Sequence, residues 1–83
     1  MWYVYILKSL VKDFIYIGYS HDFQKRLLKH NSGLSKSTKH YTPFIIEAYV
    51  AVNTEEKAIR LERYFKTGLG KAILKKRILG HTK

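Results

Sequence analysis

Two short runs of β-branched and aromatic residues open the chain, and their spacing is the feature that most limits what it can fold into. The runs occupy residues 2–7 and 14–19, and a short segment, residues 8–13, joins them. Because such residues favour extended backbone, the pattern predicts a β-hairpin.

The alternation of side chains along each strand predicts which residues lie together. Tyr3 and Tyr5 share one face of the first strand, and Tyr16 and Gly18 share one face of the second. One surface of the hairpin therefore presents several phenols. The sequence leaves open which surface is buried.

A first helix, a loop and a third strand are expected next. Residues 22–31 carry an apolar stripe of Phe23 and Leu27, and Gly33 follows as a stop signal. The segment 32–41 is rich in Ser, Thr, Lys and His and predicts an exposed loop that can contact phosphates. Residues 44–52, FIIEAYVAV, predict a strand.

Two helices are expected in the last third of the chain. Asn53 followed by Glu56 resembles a capping box, so a helix should begin there and continue to about residue 67. Gly68 and Gly70 then interrupt the pattern, and a short basic helix follows over residues 71–79. The order β-β-α-β-α-α within 83 residues predicts a single α+β domain spanning residues 1–83.

The charge of the chain points to a polyanionic partner. Sixteen Lys and Arg face six Asp and Glu, which gives a net charge of +10. Nucleic acid is favoured over anionic membrane because the basic residues recur from Lys8 to Lys83 rather than on one amphipathic helix. The N-terminus lacks a signal-peptide pattern and the chain has no Cys, so a cytoplasmic location is the default expectation.

A carboxylate falls on the apolar side of the second helix. Ala58, Ile59, Leu61 and Phe65 form an apolar arc, and Glu62 lies inside it. A carboxylate in that position needs a partner. A salt bridge at the edge of the core and a bound metal are both open from the residues alone.

Arg26 and His30 are spaced i and i+4 on the first helix, so they are neighbours on one face. An Arg fork matches phosphate oxygens and His can move a proton near neutral pH, so the two could grip one phosphate. An ordinary exposed basic face is the alternative.

The tyrosines Tyr3, Tyr5, Tyr16 and Tyr19 are expected to serve mainly in packing. A catalytic phenol is the alternative, but a phenol with a pKa near 10 is almost entirely protonated at pH 7. A tyrosine base would therefore need cationic neighbours, which Arg26 and nearby lysines could supply.

The order of these residues along the chain resembles a known family. Tyr3-Val4-Tyr5, then Tyr16-Ile17-Gly18, then Arg26 and His30, then Glu62 resemble the GIY-YIG nuclease superfamily, in particular its small single-domain bacterial branch. The stretches YIGYSHDFQKRLLKHNSG and EEKAIRLERYFKTGLGKAILKKR carry most of the match, which runs from Trp2 to about Arg77.

The resemblance implies a three-stranded antiparallel sheet flanked by helices, and hydrolysis of nucleic-acid phosphodiesters with one Mg²⁺ or Mn²⁺ ion. By position, it assigns catalytic roles to Tyr5, Tyr16, Arg26 and His30, and the metal to Glu62. Glu62 would hold the ion, Tyr16 or Tyr5 would help to deprotonate water, and Arg26 would stabilise charge on phosphorus. His30 would orient or shuttle protons.

The sequence departs from the family pattern at three points. Tyr3 stands where the first motif has its glycine, and Tyr19 stands where many relatives have a lysine. No asparagine follows Asn53, although several nucleases of the superfamily carry one in the last helix.

Two functions follow from these observations. The first is a Mg²⁺-dependent endonuclease selective for DNA structure, with RNA not excluded as a substrate and DNA repair as its setting. The second is a non-catalytic module that binds DNA or RNA through the same basic surface. We assign that surface to Lys36, Lys39, Lys71, Lys75, Lys76 and Arg77. The oligomeric state is left open.

If this basic surface contacts phosphates, DNA affinity should fall steeply with salt, with a log–log slope of about −0.9 per duplex phosphate contacted. Replacing Lys75 and Lys76 with Ala should make the slope shallower and weaken binding equally across DNA sequences, because phosphates carry no base information. Fluorescence anisotropy at several salt concentrations measures both effects, and a flat salt dependence would contradict the assignment.

Overall fold

The computed structural model describes residues 1–33 and 35–78. Within them the elements are β1 (Trp2–Ser9), β2 (Ile15–Ser20), α1 (Phe23–Asn31), β3 (Phe44–Val52), α2 (Glu55–Phe65) and α3 (Gly68–Ile73). A 3₁₀ turn, Lys39–Tyr41, precedes β3, and a π-helical segment, Leu74–Ile78, follows α3. The predicted α+β class and element order are confirmed.

The three strands form one antiparallel sheet in the order β2-β1-β3, so β1 is central and β2 is an edge strand. Tyr5 of β1 lies opposite Gly18 of β2 on one side and opposite Tyr49 of β3 on the other. The β1–β3 register shifts between Ile6 and Leu7. The predicted hairpin is therefore present, and β1 extends two residues beyond its predicted end.

Both faces of the sheet are covered. Val4, Ile6 and Ile17 on one face pack with Ala58 and Phe65 of α2 and with Leu74. On the other face, Tyr5, Leu7 and Phe44 form a second cluster with Tyr16, Phe23 and Leu27 around them. Alternation along β1 thus sends neighbouring side chains into two different clusters. The phenol face predicted for the hairpin is the one that lies under α1.

Helix α1 is fixed at both ends by side chains that the sequence places there. The Asp22 carboxylate accepts a hydrogen bond from the Lys25 backbone N–H at 3.1 Å, as an N-cap does. Gly33 follows the helix with a φ of 78°, a left-handed conformation that favours glycine. The Asn31 amide exchanges hydrogen bonds with the backbone of Phe44 at 2.7 and 3.0 Å. These bonds tie the end of α1 to the start of β3.

The start of α2 differs from the expectation by one residue. Thr54, not Asn53, is the N-cap, and its hydroxyl accepts from the Lys57 backbone N–H at 3.2 Å. Asn53 instead accepts a hydrogen bond from the Lys57 ammonium group at 3.0 Å. The predicted capping box was wrong because Thr54 is the residue whose extended backbone aims its side chain at the first turn.

The two glycines that were expected to interrupt the helical pattern lie inside α3. The Thr67 hydroxyl caps this helix by accepting from the Gly70 N–H at 3.0 Å. Gly70 is buried against α2, where a Cβ would overlap the carbonyl oxygen of Tyr64. The predicted break between the two helices is present at residues 66–67, but its assignment to Gly68 and Gly70 was wrong, because Gly70 permits close contact within α3.

The basic helix predicted over residues 71–79 is the second half of α3 and the π-helical segment, and Leu79 lies outside the described residues. No helix within residues 1–33 and 35–78 is both long and apolar enough to cross a membrane.

Gly70→Ala should destabilise the fold by about 1–3 kcal/mol, because backbone atoms must move to admit the methyl group. Gly68→Ala is the matched control, since a Cβ at Gly68 meets nothing within 4 Å. For a domain of this size each kcal/mol lowers Tm by about 4–8 °C, which thermal unfolding by circular dichroism resolves. Equal melting temperatures for the two variants would contradict this account of the α2–α3 contact.

Candidate active site

The candidate site begins at the edge strand β2, where the Tyr5 side chain lies over Gly18. A Cβ on Gly18 would stand 2.6 Å from the Tyr5 hydroxyl oxygen and 2.7 Å from Tyr5 Cζ. It would also lie 3.0 Å from a ring carbon of Tyr16. Gly18 therefore supplies the space that the Tyr5 phenol fills. The rings of Tyr5 and Tyr16 have centroids 6.3 Å apart, so the two phenols are neighbours on this surface.

Residues from both sides of the sheet affect the pKa of Tyr5. The pKa of Tyr5 is raised to about 12 in total, chiefly by burial and next by the neighbouring Tyr16. The Arg26 guanidinium acts in the opposite direction, while the Glu62 carboxylate again raises the pKa. Residues from β1, β2, α1 and α2 thus lie within electrostatic range of one hydroxyl. These are four of the five catalytic or metal-binding residues that the resemblance selected.

The raised pKa corrects one expectation about the tyrosines. Nearby cations were expected to stabilise a phenolate, but at Tyr5 burial outweighs the single guanidinium. A phenol with a pKa of about 12 stays protonated at neutral pH, so Tyr5 is a hydrogen-bond donor there.

His30, the fifth residue, is buried rather than exposed on a basic face. It is 6% exposed, and its ring lies 4.6 Å from the Tyr16 ring, centroid to centroid. Arg26, one turn earlier, is exposed. His30 and Arg26 therefore do not form one surface grip, because the ring turns inward toward the Tyr16 and Phe44 rings. The exposed-face alternative is wrong for His30.

The His30 ring is held neutral by its surroundings. Burial lowers its pKa below the usual 6.5, and the positive charges of Arg26 and Lys29 lower it further. In the unfolded chain the His30 imidazole binds a proton more readily than in the folded protein. The stability contributed by neutral His30 is therefore present above pH 6.5 and is lost as the pH falls below that value.

Thr38 is a site residue that the sequence analysis missed. It is 1% exposed, and its hydroxyl oxygen lies 2.9 Å from His30 Nδ1. The Ser35 carbonyl oxygen lies 3.4 Å from the same hydroxyl, and with the hydroxyl hydrogen directed there Thr38 accepts from a protonated Nδ1. Neutral His30 then carries its lone pair on Nε2. Only the Ser- and Thr-rich composition of the loop hinted at this contact.

Glu62 has a protein partner. Its side chain is 17% exposed, and one carboxylate oxygen, Oε2, accepts from the Lys66 ammonium group at 3.1 Å. Lys66 is 51% exposed. The salt bridge at the edge of the core, one of the two alternatives for Glu62, is therefore present. No hydrogen bond recorded for the described residues uses the other oxygen, Oε1.

The donor set near Glu62 fits a metal that keeps most of its water. Within residues 1–33 and 35–78, no group of three His, Cys, Asp or Glu side chains is placed to hold an ion. Mg²⁺ commonly binds through one or two carboxylates together with water and substrate phosphate. Among the described residues, Glu62 offers one carboxylate whose Oε1 takes no hydrogen bond, which suits such an ion, and Glu62 is the residue that would hold it.

The six basic residues assigned to the nucleic-acid surface are all exposed. Lys36 and Lys39 lie in the loop that contains Thr38, and the other four lie on α3 and the segment after it: Lys71, Lys75, Lys76 and Arg77. Their contact with nucleic acid stays a prediction.

The fold and this site define a GIY-YIG domain, and comparison with known proteins agrees. The family model of the GIY-YIG catalytic domain matches residues 1–81, so the chain belongs to the GIY-YIG family. A UPF0213 protein of Bacillus pumilus is 38% identical over 66 residues, which is 78% of this chain and 66% of that protein. A UPF0213 protein of Streptococcus pyogenes serotype M3 is 35% identical over 77% of this chain and 70% of its own length.

A solved structure shares both the fold and the sequence pattern. The solution NMR structure of a UPF0213 protein from Bacillus halodurans superposes with a TM-score of 0.59 at 34% identity, covering 98% of this chain and 89% of that one. The similarity to the superfamily and to its small bacterial branch is confirmed. The family is of nuclease type, and its nucleases generally depend on a divalent metal.

Thr38→Val should lower stability by about 1–3 kcal/mol, because it keeps the side-chain shape but leaves His30 Nδ1 buried without a partner. Thr38→Ser retains the hydroxyl and is the matched control. Thermal unfolding at pH 7.5 compares the two. The contact would be unimportant if the Val variant melted with or above the Ser variant.

Proposed function

We propose that this chain is an endonuclease that uses one Mg²⁺ or Mn²⁺ ion to hydrolyse phosphodiester bonds in DNA, with selectivity for DNA structure. The observation that carries the proposal is that Tyr16, Arg26 and Glu62 all act electrostatically on the Tyr5 hydroxyl, with the Tyr5 and Tyr16 rings 6.3 Å apart. Phosphate binding by itself requires no carboxylate and no neutral histidine beside a phenol. Phosphodiester hydrolysis uses both.

Glu62 is the proposed metal ligand, through the oxygen that Lys66 leaves free. A bound Mg²⁺ would supply Lewis-acid stabilisation of the phosphate and would lower the pKa of a bound water. Arg26 would place its fork on the non-bridging oxygens and stabilise the charge that grows on them during attack. Tyr5, which stays protonated, would donate a hydrogen bond to the phosphate or to the attacking water.

The proposed proton path runs through Tyr16 and His30. As water attacks phosphorus, its proton would pass to the Tyr16 oxygen while the Tyr16 proton passes to His30 Nε2. The lowered pKa of His30 and the packing of its ring against the Tyr16 ring, centroids 4.6 Å apart, support this route, although among the described residues no hydrogen bond joins the Tyr16 hydroxyl to Nε2. Thr38 would hold the ring in the tautomer that leaves Nε2 free. The P–O bond to the leaving oxygen then breaks, and that oxygen takes a proton from solvent.

A non-catalytic nucleic-acid-binding module is the second candidate, and the Glu62–Lys66 pair favours it. The pair gives the carboxylate a structural role that needs no metal. The first test is therefore direct. Purified protein should be incubated with duplex, flapped, branched and single-stranded DNA and with RNA, with Mg²⁺, Mn²⁺ or chelator. Metal-dependent cleavage of at least one DNA structure supports the endonuclease.

Glu62→Gln and Lys66→Gln separate the two candidates. An endonuclease should lose more than about a hundredfold in cleavage with Glu62→Gln, which removes the ligand, and should need less Mg²⁺ for half-maximal cleavage with Lys66→Gln. Both variants should melt close to wild type, because an i, i+4 pair with a half-exposed lysine contributes only about 0.3–0.5 kcal/mol.

Melting curves without metal and cleavage assays with it are needed on the same three proteins. A Glu62→Gln variant that melts clearly earlier and still cuts DNA would rule out the metal-ligand role. DNA binding without cleavage by the wild type would leave the binding module.

A further inference from the structure

A cavity of about 720 Å³ lies beside the candidate site and shares only Arg26 with the chemistry described above. It is bounded by the ends of β1 and β2, by α1 and by the first turn of α2. Its lining includes Trp2, Tyr19, Lys25, Arg26, Lys29 and Glu55. Its volume lies in the range of small-molecule pockets, roughly 300–1,000 Å³.

One wall of the cavity is aromatic. The rings of Trp2 and Tyr19 have centroids 6.2 Å apart and are tilted by 45°. His21, which also borders the cavity, packs edge-on against Trp2 at 5.2 Å. Trp2 and Tyr19 are half-buried: both pack against the core cluster and also border the cavity. Flat aromatic surfaces of this kind bind nucleobases by stacking, with little dependence on base identity.

The opposite wall is cationic. Lys25 and Lys29 are one helical turn apart on α1 and therefore share a face, with Arg26 beside them. In the part of the chain that the structure describes, none of the three forms a salt bridge with a carboxylate. Two carboxylates also border the cavity: Asp22 caps α1, and Glu55 begins α2. Glu55 offers an acceptor for the amino or imino group of a base.

The cavity continues into the candidate site. Arg26 lines the cavity, and its positive charge also lowers the pKa of the Tyr5 hydroxyl. Glu55 and Glu62 are seven residues apart on α2, which places them on one helix face about 10 Å apart along the axis. A strand whose phosphate lies between Arg26 and Glu62 would therefore have its adjoining nucleotide within reach of the aromatic wall.

We propose that this cavity binds an unpaired nucleotide of the DNA strand beside the phosphate that reacts. The base lies against Trp2 and Tyr19, and its phosphate lies against Lys25 and Lys29. The inference rests on the proposed function and extends it, because a base held in a duplex stack cannot enter the cavity. The preferred substrate is then DNA with an unpaired nucleotide at the cut, such as a flap or a single strand.

Trp2 is the single tryptophan of the chain, so its fluorescence reports directly on the cavity. The 83-residue protein is titrated in chelator, which prevents metal-dependent cleavage. The titrants are a short oligothymidylate, a blunt duplex, and an oligomer of equal length whose sugars carry no bases. The oligothymidylate should quench Trp2. The duplex and the base-free oligomer should quench it at least several-fold less at equal phosphate concentration.

Variants of the cationic wall separate this cavity from general charge. Lys25→Ala/Lys29→Ala should weaken oligothymidylate binding about tenfold. Lys8→Ala/Lys12→Ala removes equal charge from the far end of the hairpin and should weaken it much less.

Variants of the aromatic wall test stacking while keeping the Trp2 reporter. Tyr19→Leu should weaken binding about five- to tenfold, whereas Tyr19→Phe, which keeps the ring, should bind as wild type does. Thermal melts confirm that each variant is folded.

The outcomes distinguish the cavity from the nuclease. Equal quenching by the duplex or by the base-free oligomer would overturn the base-binding cavity even if the protein cuts DNA. Equal losses in the two lysine double variants would overturn it as well. Base-dependent quenching without cleavage of any substrate would support the cavity and overturn the endonuclease.

Discussion

The contact between Tyr5 and Gly18 is the constraint on which the rest of the candidate site depends. Tyr5 lies on the central strand, and its ring extends over the neighbouring edge strand at Gly18, where Tyr5 is only 2% exposed. This position of the ring is possible only where that strand lacks a Cβ, and the cross-strand register puts Gly18 opposite Tyr5. Gly18 of the second motif thus leaves the space that the ring of Tyr5 in the first motif occupies.

Tyr5 and His30 are both buried in the candidate site, and burial shifts the pKa of each. It raises the pKa of Tyr5 and lowers that of His30, so both groups are held neutral near pH 7. A neutral phenol can donate a hydrogen bond, and a neutral imidazole can accept a proton. On the proposed function, the same desolvation therefore suits one residue to binding and the other to proton transfer, although both were candidates for moving protons.

Much of the fold could be predicted because its signals are local. Runs of β-branched and aromatic residues set the strands, and Gly33 follows α1 in the left-handed conformation that its position suggested. The misses depend on contacts between distant segments. Gly70 lies against the Tyr64 carbonyl oxygen of α2, and this contact explains why the residue is glycine. No local sequence pattern distinguishes such a contact from the end of a helix. The choice of Thr54 over Asn53 as the cap depends on backbone angles that vary within one residue.

For the site, the sequence predicts candidate residues but not their surroundings. Spacing alone placed Arg26 and His30 on one helix face, but a helix surface has a boundary between solvent and core that spacing does not locate. His30 lies on the buried side of that boundary because the loop after α1 folds back and offers Thr38 as a partner. The loop was expected to be an exposed phosphate contact, and it also provides a buried hydroxyl.

The Glu62–Lys66 pair shows why a structural and a catalytic explanation of one residue need not compete. A carboxylate that is only 17% exposed gains from a partner whenever no other cation is near it. Lys66 supplies that partner. Breaking the ion pair costs little free energy, because half of the Lys66 side chain is in solvent and the ammonium group is readily rehydrated. On the proposed function, an ion arriving with its phosphate would meet a carboxylate that is already oriented and is held by a weak, replaceable contact. Affinity for metal alone would then be low, and occupancy would follow the substrate.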